Sequence, residues 1–186
     1  MTAAAAPQQD QYRLAVILGS VREGRFVTTV GEWFARQAGR RDDVKLDVID
    51  LARPDEGGRG FGERIGAADA VVVVVPEYNH SFPGELKKAI DSLKPEWRAK
   101  PVGFVSYGGR GGGLRAVEQL RLVFAELHAP TVRETVSFHD AWQEFGPGGE
   151  PRRAGEAARA ATALLDQLAW WALTLRRGRE ERPYPV

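Results

Sequence analysis

Apolar positions along the chain alternate between two periods. Tyr12 to Leu18 (YRLAVIL) is a short, partly β-branched run that stops at Gly19. From Arg25 to Gly39, Phe26, Val30, Trp33, Phe34 and Ala38 recur at helical spacing. Val44 to Leu51 returns to period two, and Phe61 to Ala68 suits a short helix. Ala70 to Val75 (AVVVVV) is continuous and β-branched, the pattern of a parallel strand buried on both faces. The cycle then repeats. Pro83 to Leu93 predicts a helix with Pro83 near its first turn and Leu86, Ile90 and Leu93 on one stripe. Pro101 to Tyr107 predicts a strand. Leu114 to Leu127 predicts a helix that turns Val117, Leu120, Val123, Phe124 and Leu127 inward. Thr131 to Phe138 reads as a fifth strand and Ala154 to Leu175 as the last helix.

Five strands alternating with five helices imply an α/β domain, a parallel sheet covered on both faces by right-handed crossovers. Five units suit the doubly wound, flavodoxin-like strand order 2-1-3-4-5 better than a six-stranded dinucleotide fold. In that order strands 1, 3 and 4 are neighbours, and the loops after them emerge at one carboxyl edge beside the switch point. Residues 1–10 read as a disordered tail, 11–176 as the domain and 177–186 as a charged C-terminal tail.

Composition narrows the chemistry. In 186 residues, 43% are hydrophobic and 27% charged, enough to build a sizeable core. The 26 basic and 25 acidic side chains leave a formal charge of +1, which argues against a nucleic-acid binder. The absence of cysteine excludes disulfides, thiol catalysis, iron–sulfur clusters and cysteine zinc sites. His80, His128 and His139 form no ligand-spaced pair, so no metal is expected. Ala3 to Ala6 lacks the basic flank and length of a secretory signal, and no apolar run approaches the ~20 residues of a membrane span. The expected setting is cytoplasmic, with no membrane partner.

The unusual segments are the three loops at the shared edge. After strand 1 comes Gly19-Ser20-Val21-Arg22-Glu23-Gly24-Arg25. A hydroxyl, two guanidiniums and the free amides of a helix start make a phosphate site. The segment has the two glycines of a P-loop at the right spacing, but Arg25 and Phe26 stand where that motif needs Lys and Ser/Thr. Val21 occupies the second glycine position of the Rossmann fingerprint, and no nucleophile elbow surrounds Ser20. After strand 3 comes Pro76-Glu77-Tyr78-Asn79-His80-Ser81-Phe82-Pro83-Gly84. Two prolines stiffen it, its aromatics suit a flat ligand, Glu77 suits a structural or hydrogen-bonding role, and His80 is a further candidate for substrate contact. After strand 4 comes Tyr107-Gly108-Gly109-Arg110-Gly111-Gly112-Gly113, whose glycines let backbone amides approach a ligand closely.

At these residues the sequence resembles the NADPH-dependent FMN reductase family. The matching pieces are Gly19-Ser20-x-Arg22, Pro76-Glu77-Tyr78-Asn79-x-Ser81-x-Pro83-Gly84, and the Gly-rich loop followed by Leu114-Arg115-Ala116. The resemblance spans residues 12–145. It implies noncovalent FMN, with its phosphate on Ser20, Arg22 and Arg25. It also implies an isoalloxazine on Pro76, Glu77, Tyr78 and Asn79 and on Gly108, Gly109, Arg110 and Gly111. The family's activity would be hydride transfer from NADPH to FMN and on to a flavin, quinone or azo acceptor, with no catalytic side chain required. Arg110 is the candidate for the 2′-phosphate of NADPH. The segment Ala52 to Gly60 differs from the longer Pro-rich loop usual in the family.

Two other readings remain at this point: a flavodoxin-type electron carrier and a flavin-binding sensor without turnover. Carriers are usually strongly acidic, unlike this chain. The family commonly forms dimers or tetramers. Trp97, Trp142 and Trp170 are candidates for interface surface, and Trp171 for packing against the sheet.

Overall fold

The computed structural model describes residues 10–53 and 60–185. The expected N-terminal tail, Asp10 apart, and the middle of the Ala52 to Gly60 segment lie outside the described residues. The strands are β1 (Tyr12–Leu18), β2 (Val44–Asp50), β3 (Ala70–Pro76), β4 (Val102–Tyr107) and β5 (Thr131–Phe138). The helices are α1 (Val27–Ala38), α2 (Phe61–Ala67), α3 (Gly84–Asp91), α4 (Leu114–Glu126), α5 (Ala141–Glu144) and α6 (Ala154–Glu181). All neighbouring strands pair in parallel, in the order β2-β1-β3-β4-β5. This is the order the alternation of periods predicts.

The central strand explains its own sequence. Val72 and Val74 face one layer of core with Trp33 and Phe34 of α1 and Leu164 and Leu168 of α6. Val71, Val73 and Val75 face the other, with Leu86 and Ile90 of α3 and Leu120 and Phe124 of α4. A strand covered on both sides has no polar face to spare. β2 is an edge strand, and there Val48 stays exposed although it shares a face with Val44 and Leu46, which pack on the core.

The structure departs from expectation at Trp97, at Trp171, at the end of the last helix, and in a short extra helix, α5, between β5 and that helix. Trp97 is fully buried, not interface surface: its indole N–H donates to the Ile90 carbonyl (3.0 Å), and its ring packs edge-on against Phe124. Trp171 stands instead at the surface, edge-on to the exposed Trp170. The last helix does not stop at Leu175 but runs to Glu181. Its arginines are not solvated tail charges. Arg176 donates to the Gln11 carbonyl (2.9 Å) and to Asp69 (3.1 Å), and Arg179 to the Ala99 carbonyl. These bonds fasten the helix end to the amino edge of the sheet.

Beside that cluster Lys100 is almost fully buried and donates to the carbonyls of Ile65 and Gly66 at the end of α2 (2.9 Å to Gly66). Burial, assisted by the positive charge of Arg179, pulls its ammonium down to about 8. Between that value and the ordinary lysine value of 10.5 the unfolded chain holds more protons than the folded one, so stability rises with pH there. Lys100 contributes fully above the ordinary value, and this contribution is lost as pH falls through about 8. Denaturant titrations at several pH values check this. The unfolding free energy of wild type minus that of Lys100→Met should climb from pH 8 to 10 and be flat at lower pH. A difference independent of pH over that window contradicts it.

Candidate functional site

The loops after β1, β3 and β4 meet at the carboxyl edge. Ser20, fully buried, shares a hydroxyl–hydroxyl hydrogen bond of 2.7 Å with Tyr78. The Arg22 guanidinium lies 3.6 Å above the Tyr78 ring, a cation–π contact. The first and second loops are therefore joined twice through one tyrosine. Arg25 is placed differently from the expectation of a phosphate ligand. Its guanidinium pairs with Asp50, the last residue of β2, and donates to the Ser20 carbonyl (3.1 Å). Both side chains are nearly buried, at 11% and 12% exposure. Arg25 thus braces the loop from behind while Arg22 is left exposed in front of it.

The second loop is a two-residue hairpin in miniature. Tyr78 and Ser81 exchange backbone bonds in both directions (2.9 and 3.0 Å). Asn79 and His80 have φ of 50° and 67°, the left-handed pair that such a turn demands. Helix α4 holds this turn from one side. Gln119 donates to the His80 carbonyl (2.9 Å) and accepts from the Ser81 hydroxyl (2.6 Å). One turn earlier Arg115 grips Glu77, with Nε and Nη2 of its guanidinium both on the same oxygen, Oε1. The other oxygen, Oε2, is buried and has no partner. Pro76 ends β3 in register with Tyr107, whose carbonyl accepts the Glu77 amide (3.1 Å). Burial holds the Tyr107 phenol well above its ordinary pKa, so it stays protonated.

The third loop is tightly tethered. Ser106 and Ser137 both donate to the Gly112 carbonyl at 2.8 Å. Gly112 and Gly113 have φ of 58° and 83°, and a Cβ on Gly112 would lie 2.5 Å from the Ser137 hydroxyl. Only glycine fits there. The connection from β5 into α5 lies directly behind, with Asp140 and Ala141 donating to the carbonyls of Gly109 and Gly108 (2.9 and 3.0 Å). Arg110 is exposed, and around Gly109 the space is open.

These tethers leave a set of backbone donors without a protein acceptor. Among the described residues, no protein acceptor bonds the backbone N–H of Ser20, Val21, Arg22 or Glu23. The same holds for Asn79 and His80 in the second loop, and for Gly109, Arg110 and Gly111 in the third. Helix α1 also begins without a side-chain cap. The edge therefore offers clustered amides and one guanidinium at the first loop, and amides plus a free carboxylate oxygen at the other two. Two grooves flank it. One, about 540 Å3, runs between Val21, Phe61 and α3. The other, about 740 Å3, lies beside His139, Trp142 and Arg152.

FMN fits this donor set. Its phosphate needs amides and a cation, as the first loop provides. The pyrimidine edge of its ring has carbonyl acceptors, which suit the free amides, and one N–H, which suits the orphaned Glu77 oxygen. The model for NADPH-dependent FMN reductases matches residues 12–143. The chain belongs to this family. An NAD(P)H-dependent FMN reductase of Schizosaccharomyces pombe is 38% identical over 54% of this chain, and the chain spans 60% of that protein's length. A quinone reductase of Pseudomonas putida is 33% identical over 62% of the chain and 72% of its own length. An FMN-dependent NADPH-azoreductase of Staphylococcus haemolyticus is 29% identical over 68% and 76%. Among solved structures, FerB, a flavoenzyme NAD(P)H:acceptor oxidoreductase from Paracoccus denitrificans, superposes with a TM-score of 0.63 at 20% identity, covering 88% of this chain and 98% of its own. Oxidised flavodoxin 1 of Bacillus cereus superposes with a TM-score of 0.58 at 15% identity, covering 84% and 99%. The fold is flavodoxin-like.

Sequence reasoning assembled the three loops but missed their supports: Asp50, Ser106, Gln119, Ser137, His139 and the α5 segment, and it met Arg115 only as part of the Leu114-Arg115-Ala116 piece, without a role. Arg115 and Gln119 are four apart on α4, a same-face spacing that was available as a signal. Asp50 and His139 each end or follow a strand at the same edge, a second signal. For Arg25 the bracing role has a direct check. Arg25→Ala and Asp50→Ala should each destabilise the cofactor-free protein by about 3–5 kcal/mol, the scale of a broken buried pair. The double variant should cost clearly less than the sum. Additive losses in urea denaturation contradict the pairing.

Proposed function

We propose that this chain is an FMN-dependent oxidoreductase that draws hydride from NADPH and reduces a small-molecule acceptor, a flavin, quinone or azo compound. The observation that carries the reading is the convergence of three loops with unpartnered amides and a buried, unpartnered carboxylate oxygen on one sheet edge. When bound, FMN supplies the two-electron chemistry, accepting hydride and passing electrons on.

The residues of this chain bind and orient. Ser20, Arg22 and the amides of Ser20 to Glu23 would hold the phosphate, while Arg25 and Asp50 keep that loop in shape. The stiff Pro76 to Asn79 turn forms one wall of the ring site. Glu77 Oε2 would accept the ring N–H, its other oxygen being fixed by Arg115. The amides of Gly109, Arg110 and Gly111 would supply hydrogen-bond donors for negative charge at the pyrimidine end of the ring, in the manner of an oxyanion hole. Exposed Arg110 would meet the 2′-phosphate of NADPH, and the groove beside Trp142 would give the nucleotide room to extend.

The assembly belongs to the same reading. Trp142, Trp170 and Trp171 are exposed aromatic surface, and a homodimer or homotetramer is expected. A light-scattering mass near that of one 20.5 kDa chain at micromolar concentration contradicts it. Cytoplasmic placement fits a user of NADPH, and no helix among the described residues is long and apolar enough to cross a membrane.

Mixing the FMN-loaded protein with NADPH under anaerobic conditions tests the function. Rapid loss of the main flavin absorbance is expected, faster with NADPH than with NADH. A spectrum that NADPH leaves unchanged and dithionite bleaches contradicts the reductase and supports a carrier or sensor. For the binding site, Arg22→Ala should weaken FMN by about 1.5–3 kcal/mol in fluorescence titration, the scale of a hydrogen bond to a charged group. Unchanged affinity removes Arg22 from the phosphate site.

A further inference from the structure

The third loop has three consecutive carbonyls drawn to one side. The Gly108 carbonyl accepts from the Ala141 amide (3.0 Å) and the Gly109 carbonyl from the Asp140 amide (2.9 Å). The Arg110 carbonyl accepts from the His139 ring Nδ1 (2.8 Å), which therefore carries its proton on that nitrogen. In a planar trans peptide the C=O and the following N–H point in opposite directions. Pinning these three carbonyls against the β5–α5 connection therefore aims the amides of Gly109, Arg110 and Gly111 the other way, and none of them has a protein acceptor among the described residues.

The three pins are not equivalent. Those on Gly108 and Gly109 are backbone bonds, and Gly109 gains a second from the Gly112 amide (3.1 Å). The pin on Arg110 is a side chain, and the peptide it holds is flanked by Gly111, the residue type that rotates most freely. Without the imidazole, nothing among the described contacts fixes the orientation of the Gly111 amide. The ring is itself held in place, packed against Gly112, where an added Cβ would lie 2.7 Å from it, and with Nε2 3.4 Å from the Ser137 hydroxyl.

We infer that His139 is a positioning residue for flavin reduction: by holding the Arg110 carbonyl it presents the Gly111 amide to the pyrimidine end of FMN, where negative charge accumulates on reduction. This rests on the FMN reading above. Such a donor matters more to reduced than to oxidised FMN, so its loss separates the two affinities. Their ratio sets the bound midpoint potential relative to free FMN.

The test measures affinity for oxidised FMN, affinity for reduced FMN under anaerobic conditions, and the two-electron midpoint of the bound flavin. In His139→Ala, oxidised FMN should bind within about threefold of wild type. Reduced FMN should bind about tenfold more weakly, which lowers the midpoint by about 30 mV. His139→Gln, which keeps a side-chain N–H, should recover most of the loss. His139→Phe, which fills the volume without a donor, should not, and it replaces the alanine variant if that fails to fold. A midpoint unchanged in His139→Ala and His139→Phe, or lowered equally in His139→Gln, overturns the inference. A wild-type protein that binds no FMN defeats the underlying reading instead, so the two failures are distinct.

Discussion

Parallel strand direction is the constraint on which the rest of this molecule depends. Because every strand of the sheet runs the same way, every βα turn leaves from one edge, and the order 2-1-3-4-5 sets three of them side by side. Backbone amides at such turns have no ladder to join. Water or protein normally satisfies them, since an unpaired donor is costly once it is shielded. Here the amides collect in three adjacent loops, and the surrounding side chains bond carbonyls and one another, leaving those N–H groups unclaimed.

The side chains that shape the edge work mostly from outside it. Asp50 comes from the neighbouring edge strand, Arg115 and Gln119 from α4, Ser106 from β4, and Ser137 and His139 from β5 and the turn after it. Apart from the Ser106 bond to Gly112, which stays within the turn after β4, these contacts link segments that are distant along the chain or belong to different crossovers. The consequence is preorganisation. The loops carry residues in strained left-handed backbone at Asn79 and His80, and the bracing from α4 holds that conformation before any ligand arrives. A site assembled in advance binds without first having to order its own loops.

The architecture was legible in the sequence because each unit announces itself locally: an apolar run, a turn, a stripe at helical spacing. The valines of β3 declare a strand covered on both faces, and both faces are covered. The loops were legible for the same reason, being rich in Gly, Pro and Arg where strands end. What local pattern cannot carry is pairing across crossovers. Arg25 reads as a free cation beside a turn, and only the register of β1 with β2 brings Asp50 to it. His139 is invisible to a search for metal-ligand spacing, because its role depends on a carbonyl 29 residues earlier in the chain. At four residues α5 is too short to show a period. Trp97 looks like surplus aromatic surface until the depth of the α3–α4 layer is known, and the arginines after Leu175 look like a solvated tail until Asp69 and Ala99 claim them.

Unpartnered amides of three loops form one binding surface at the carboxyl edge. Titrating isotopically labelled, cofactor-free protein with FMN and following the backbone amide resonances tests this residue by residue. The largest shifts, and the strongest new protection from solvent exchange, should fall on Ser20 to Glu23, on Asn79 and His80, and on Gly109 to Gly111. The amino edge around Asp69, Lys100 and Arg179 should stay silent. Shifts concentrated at the amino edge or along α6, with the three loops unmoved, would contradict it.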